Sequence, residues 1–157
     1  MKLRDFVCFE ATIAEFQASD RDGVIEELVF SLDKAGRLGK DKCKDIIREI
    51  IKRENEASTG MGKGVAVPHV KHKAVKGMIA AIGQSSTGIN FFALDKQPVY
   101  SVILLISSVD DPDKHLQAME NIFKHLQQER FRKFLRQCRS VEQIEDLINE
   151  ADENPSW

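Results

Sequence analysis

The stretch 98–107, Pro-Val-Tyr-Ser-Val-Ile-Leu-Leu-Ile-Ser, constrains this chain more than any other. Val102, Ile103, Leu104, Leu105 and Ile106 are consecutive, with no polar residue between them. Successive side chains of a strand point to opposite faces, so an unbroken apolar run belongs in a strand buried on both sides. The run is far too short to cross a bilayer. Such a strand needs helices over each face, and the flanking sequence supplies them. Val24, Ile25, Leu28, Val29 and Leu32 follow helical spacing, with Gly36 as a stop. Cys43, Ile46, Ile47, Ile50 and Ile51 form the inner face of a second helix whose other face is rich in Lys and Glu. Further helices are expected from Pro112, over 131–138 and over 141–148, the last with Ser140 and Gln143 placed as a capping box.

Between these groups the period changes. Residues 65–67 and 77–84 read as strands, 5–16 as short extended pieces, and 86–90 as a turn. The expectation is an α/β fold, a mixed β-sheet sandwiched by α-helices, in a single domain over 1–157. The acidic tail 149–157, which contains Pro155, is expected to fray.

Charge and cysteine content exclude several functions. The net charge is -2, with both signs interspersed, so no bulk attraction to nucleic acid or anionic lipid is expected. No apolar leader or membrane segment is read, and Cys8, Cys43 and Cys138 are too widely spaced for a disulfide framework. A cytoplasmic chain with reduced thiols is expected.

The chemistry centres on histidine. Pro68 cannot donate to a strand ladder, so the strand at 65–67 should end or gap there, leaving His69 on the sheet rim. On the residues alone His69 reads equally as a turn histidine bonded to a carbonyl and as a site residue. Asp111 and Pro112 read as N-cap and first helical residue, placing His115 in a first turn. At about 100° per residue Leu116, Met119, Phe123 and Leu126 form an inward stripe that includes His115, while His125 should face water. Two such histidines, near the glycine-rich loop 60–64, suggest a site that handles an anion. The loop is not a nucleotide P-loop: Gly64 follows Lys63, and a helix rather than a strand precedes it. His69-x-x-His72 has few further ligands nearby beyond Asp95, so no metal is expected and His72 reads as an exposed loop residue.

The stretch Arg53-Glu54-Asn55-Glu56-Ala57-Ser58-Thr59-Gly60-Met61-Gly62-Lys63-Gly64-Val65-Ala66-Val67-Pro68-His69 resembles the active-site signature of the IIA components of the bacterial phosphotransferase system. The similarity is to the fructose/mannitol class (the type-2 domain), which includes the nitrogen-regulatory IIA proteins. Gly88-Ile89-Asn90-Phe91, Ala93-Leu94-Asp95, Gln97-Pro98-Val99 and the distant His115-Leu116 extend it over nearly the whole chain. Val70 departs from the family, where a small residue commonly follows the active histidine.

The resemblance implies that His69 accepts a phosphoryl group from the phosphohistidine of the carrier HPr and passes it to a cysteine of a IIB component. It implies that Arg53 stabilises that group, that His115 lies beside the nucleophile, and that Thr59 and Gly60 line the loop that receives the phosphate. Without it, Arg53 reads as a solvated charge at the end of a basic helix face. No cofactor is implied, because the donor is already activated. Three readings follow: a phosphocarrier in fructose-like uptake or nitrogen-type regulation, a binding protein whose contacts are switched by phosphorylation of His69, and a metal-binding or structural domain.

Overall fold

A computed structural model describes residues 1–155. The run anticipated as doubly buried is strand β5 (Val99–Ser107), with β4 (Met78–Ile89) antiparallel on one side. On its other side lie β2 (Val65–Ala66) and β3 (His69–Lys71), both parallel to it. Val65 faces Ser101 and His69 faces Leu105, an identical offset, so β2 and β3 are halves of one strand interrupted at Pro68. The expected gap is present: Pro68 lacks an N–H, yet its carbonyl still accepts from Leu105 at 2.9 Å.

The glycine-rich segment read as a loop is more ordered than that. β1 (Gly60–Gly62) pairs antiparallel with β2, and the turn between them is Lys63 and Gly64, both at positive φ, as a two-residue hairpin requires. The turn read at 86–90 is instead the end of β4. The strand absorbs the turn-forming residues as an irregularity between Gln84 and Ile89, with Gly88 at φ +92°. Residues 5–16 follow the outer edge of β4, bridging to it at Val7 and Ile13 and bonding to it again through the Phe16 N–H, with short 3-10 turns at Leu3–Asp5 and Phe9–Ala11.

Helices cover both faces, and β5 shows why. Val102, Leu104 and Ile106 enter a core with α1 (Arg21–Lys34) and α2 (Cys43–Glu56). Ile103 and Leu105 enter a second core with α3 (Pro112–Leu126), α4 (Glu129–Gln137) and α5 (Val141–Glu153). The inner faces of α1 and α2 are those anticipated, with Ile51 only partly buried. Cys8, Cys43 and Cys138 are free and buried, and no described helix is long and apolar enough to cross a membrane.

Two expectations fail on the second face. On α3 the buried residues are Ala118, Met119, Ile122, His125 and Leu126, while Leu116 is 57% exposed. The helix is turned from the predicted stripe because His125, only 2% exposed, finds partners inside. Its ring nitrogens lie 3.0 Å from the Asn121 carbonyl and 3.4 Å from that of Ala151, and its ring meets Phe131 edge-on.

The tail, expected to fray from 149, continues α5 to Glu153; Ser156 and Trp157 lie outside the described residues. Asp152 anchors it, accepting from the backbone N–H of Leu3 at 2.7 Å and of Arg4 at 2.9 Å. Removing that carboxylate leaves two N–H groups without a partner in a buried corner. Asp152→Ala is therefore expected to cost about 2 kcal/mol. A urea midpoint equal to that of the parent chain, at the same slope, would show that the terminal clasp contributes nothing. The Ser140 cap is present, but Gln143 returns its hydrogen bond to the N–H of Arg139 rather than of Ser140.

Candidate functional site

The break at Pro68 sets the first site residue. His69 opens β3 half-buried, and its Nδ1–H donates to the Val67 carbonyl at 2.8 Å. A carbonyl can only accept, so the neutral ring carries its proton on Nδ1 and its lone pair on Nε2. The bond to a carbonyl expected of a turn histidine is present, and it leaves the other ring nitrogen with its lone pair.

His115 arrives from the opposite layer. The Asp111 side chain accepts from the N–H of Lys114 at 3.1 Å and Pro112 opens α3, so His115 falls in the first turn as anticipated. Its Nδ1 lies 2.5 Å from the hydroxyl of Ser107, the wholly buried last residue of β5. The His69 and His115 rings are 5.8 Å apart between centroids and tilted by 46°. Burial, then the adjacent His69 and Lys71, hold the His115 imidazole below its ordinary pKa, which favours the neutral ring.

Arg53 comes from the last turn of α2, where its Nη1 donates to the Ala57 carbonyl at 2.9 Å. That hydrogen bond closes the helix end, and among the described residues the other donors of the guanidinium fork are uncommitted. Arg53, Thr59, Gly60 and His69 line one cavity of about 220 Å³, whose apolar wall includes Met61, Leu94 and Phe123. Leu94 is 83% exposed at this rim. Thr59 lines the cavity but is not free: buried Glu54 accepts both its hydroxyl and its N–H. The N–H of Gly60 donates to Ser58 Oγ at 3.0 Å. A Cβ at Gly60 would stand 2.8 Å from Ala93, so the loop passes too close for any side chain there.

Two supporting residues escaped sequence reasoning. Glu54 sits in a Lys- and Glu-rich helix face and gives no local sign that it turns inward to hold the loop. Ser107 reads as an ordinary strand end, yet it holds the second histidine.

His72 corrects an expectation outright. It is 3% exposed rather than an exposed loop residue. Its Nδ1 accepts from the Ala74 N–H at 2.9 Å, and its Nε2 donates to Asp45 Oδ2 at 2.7 Å, with Glu49 Oε2 at 3.9 Å. That bond, more than the nearby Arg48, holds the Asp45 carboxyl below its usual range. The donor atoms of Asp45, Glu49 and His72 lie within 4.8 Å of one another. With Nδ1 occupied, however, Nε2 carries the proton and offers no lone pair to an ion. The trio is a clasp between α2 and the segment after His69. Asp95, the other candidate ligand, instead accepts from the N–H groups of Lys63 and Gln97.

Comparison with known proteins gives the family. The family model for the phosphoenolpyruvate-dependent sugar phosphotransferase system, EIIA 2, matches residues 9–151. A fructose-specific EIIABC component of Bacillus subtilis is 32% identical over 97% of this chain, which spans only 24% of that protein's length. A fructose-specific EIIA component of Haloferax volcanii is 31% identical, covering 85% of each chain. A nitrogen regulatory protein of Klebsiella oxytoca is 33% identical over 69% of this chain and 68% of its own. Among solved structures, the nitrogen regulatory protein IIA-Ntr of Neisseria meningitidis superposes with a TM-score of 0.81 at 22% identity, over 92% of this chain and 97% of that one. The Escherichia coli mannitol IIA, solved in complex with phosphorylated IIB, gives 0.73 at 19% identity, over 90% and 95%. With a continuous sheet sandwiched as in those folds, and with the family match spanning both histidine elements, the chain belongs to the EIIA 2 family of the phosphoenolpyruvate-dependent sugar phosphotransferase system.

Proposed function

We propose that this chain is a phosphocarrier, a single type-2 IIA domain that accepts a phosphoryl group on His69 Nε2 from phospho-HPr and passes it to a IIB cysteine. The observation that carries the reading is the hydrogen bond from His69 Nδ1–H to the Val67 carbonyl, which leaves Nε2 as the nucleophile beside His115. In the accepting step the Nε2 lone pair forms the new N–P bond as the donor's N–P bond breaks, and the donor imidazole keeps that electron pair. Val67 continues to hold the Nδ1 proton, so the phosphorylated ring stays cationic and remains a good leaving group for onward transfer. Charge on the transferring phosphoryl oxygens calls for positioned donors, which Arg53 supplies from across the cavity. The exposed Leu94 at the rim suits docking of protein partners rather than of a small substrate. On this reading the chain works in the cytoplasm, without metal or nucleotide.

The test is transfer itself. Chain labelled through phosphoenolpyruvate, enzyme I and HPr should lose its phosphate to a purified fructose- or mannitol-class IIB domain, with the label appearing on cysteine. Label that leaves only as inorganic phosphate with every IIB domain tried would point to the second reading. In that reading, favoured by the likeness to a protein named as nitrogen regulatory, phosphorylation of His69 switches contacts with a regulated partner.

His115 offers an independent check. Its pKa is lowered, first by burial and then by the neighbouring His69 and Lys71. A phosphoryl group arriving on His69 brings negative charge close to that ring, which favours the imidazolium. The His115 pKa should therefore move up on phosphorylation, so that the ring takes up a proton more readily once the site is filled. NMR titration of both forms measures this, and an unchanged midpoint would remove His115 from the site.

A further inference from the structure

A second concave site lies at the other end of β5, away from the histidines. Lys63 in the hairpin turn and Arg132, Lys133, Arg136 and Arg139 on and just after α4 line a cavity of about 490 Å³, together with Glu129 and Gln137. His69 faces Leu105 and His115 is bonded to Ser107, whereas Arg136 stacks on Tyr100, five residues earlier along β5. At about 3.3 Å per residue the two sites are roughly 16 Å apart.

A run of cations is ordinarily a solvated face, and three observations bear on this one. First, the charged groups of all five lack a carboxylate within 4 Å among the described residues, as do those of most lysines and arginines of this chain, so no ion pair neutralises them. Second, the guanidiniums are held in place. Arg136 Cζ lies over the Tyr100 ring, 3.6 Å from its centroid, Arg132 Nη1 donates to the Leu126 carbonyl at 2.7 Å, and Arg139 Nη1 donates to the carbonyls of Arg136 and Cys138. Each contact uses one face or one nitrogen, so the remaining edges stay available as pre-arranged forks. Third, the surface is concave and within the size range of small-molecule sites.

We propose that this cavity binds a small organic anion carrying two phosphate groups. Five cations within so small a volume call for a ligand of high charge density, and two phosphates supply about four negative charges where carboxylates of that size supply fewer. Glu129 opposes an anion at its own position and can take part only as a hydrogen-bond acceptor, so the phosphates are left to the five cations. The site makes no use of His69 and stands apart from the phosphocarrier reading.

The probe is inorganic pyrophosphate, titrated at about 0.15 M salt so that unspecific attraction is screened. Saturable binding below about 1 mM is expected, with amide NMR shifts at Lys63 and over 132–139. The double variant Lys133→Gln, Arg136→Gln should weaken binding by at least roughly tenfold while labelling of His69 continues unchanged. Absence of saturation, equal binding by the variant, or shifts centred on Arg53 and His69 would each overturn the proposal. Preferential binding of a poly-glutamate peptide would overturn it as well, because the face would then be a docking surface for an acidic protein segment.

Discussion

His69→Ala is expected to remove the proposed phosphoryl acceptance: with phosphoenolpyruvate, enzyme I and HPr present, acid-labile phosphate on this chain should fall by at least about a thousandfold, to background. The other histidines cannot substitute. His72 and His125 are buried and engaged with Asp45, Ala74 and backbone carbonyls. The Nδ1 of His115 is engaged with Ser107, and its ring reaches the site only from beside His69. Folding is expected to survive, because the half-exposed His69 ring contributes one hydrogen bond to a neighbouring carbonyl. His115→Ala, by contrast, should still accept phosphate, but more slowly. Label retained in His69→Ala sinks the assignment of the nucleophile, whatever the partner proves to be.

Arg53→Lys is expected to slow phosphoryl transfer by about 100-fold at saturating HPr with the fold intact. The substitution keeps the positive charge and removes the planar fork, so it separates geometry from charge. Arg53 shares the cavity with His69 and spends one nitrogen on the Ala57 carbonyl. A lysine ammonium that takes over that helix-end carbonyl has no second, rigidly placed nitrogen for the phosphoryl oxygens. The loss should appear in the maximal rate rather than in the HPr concentration needed for half of it, since the guanidinium is asked to act on the transition state. Wild-type rates in the variant at both saturating and limiting HPr would return Arg53 to the role of a solvated charge.

Much of this protein follows from local rules. The unbroken apolar run of β5 demands cover on both faces, and both faces are covered. The spacing of Val24 through Leu32 and of Cys43 through Ile50 places the inner faces of α1 and α2 where they lie. Pro68 breaks the strand because it lacks an N–H, and Asp111 with Pro112 starts α3, which delivers both histidines to strand and helix ends. The roles of Arg53, Thr59 and Gly60 came from the family resemblance, since an arginine at the end of a basic helix face looks like any solvated charge.

What only the tertiary structure decided is where polar side chains go. His125 is inside and Leu116 outside, His72 is clasped to Asp45, Glu54 holds Thr59, Ser107 holds His115 and Asp152 secures the first turn. A buried polar group is tolerated only when a partner meets it with good geometry. For His72 that partner is 27 residues away, and for Asp152 it is 149. Apolar burial repeats along the chain with the period of the helix or strand, so it can be read locally. The satisfaction of a buried histidine or carboxylate depends on which distant group the fold brings opposite it, and no local pattern carries that information.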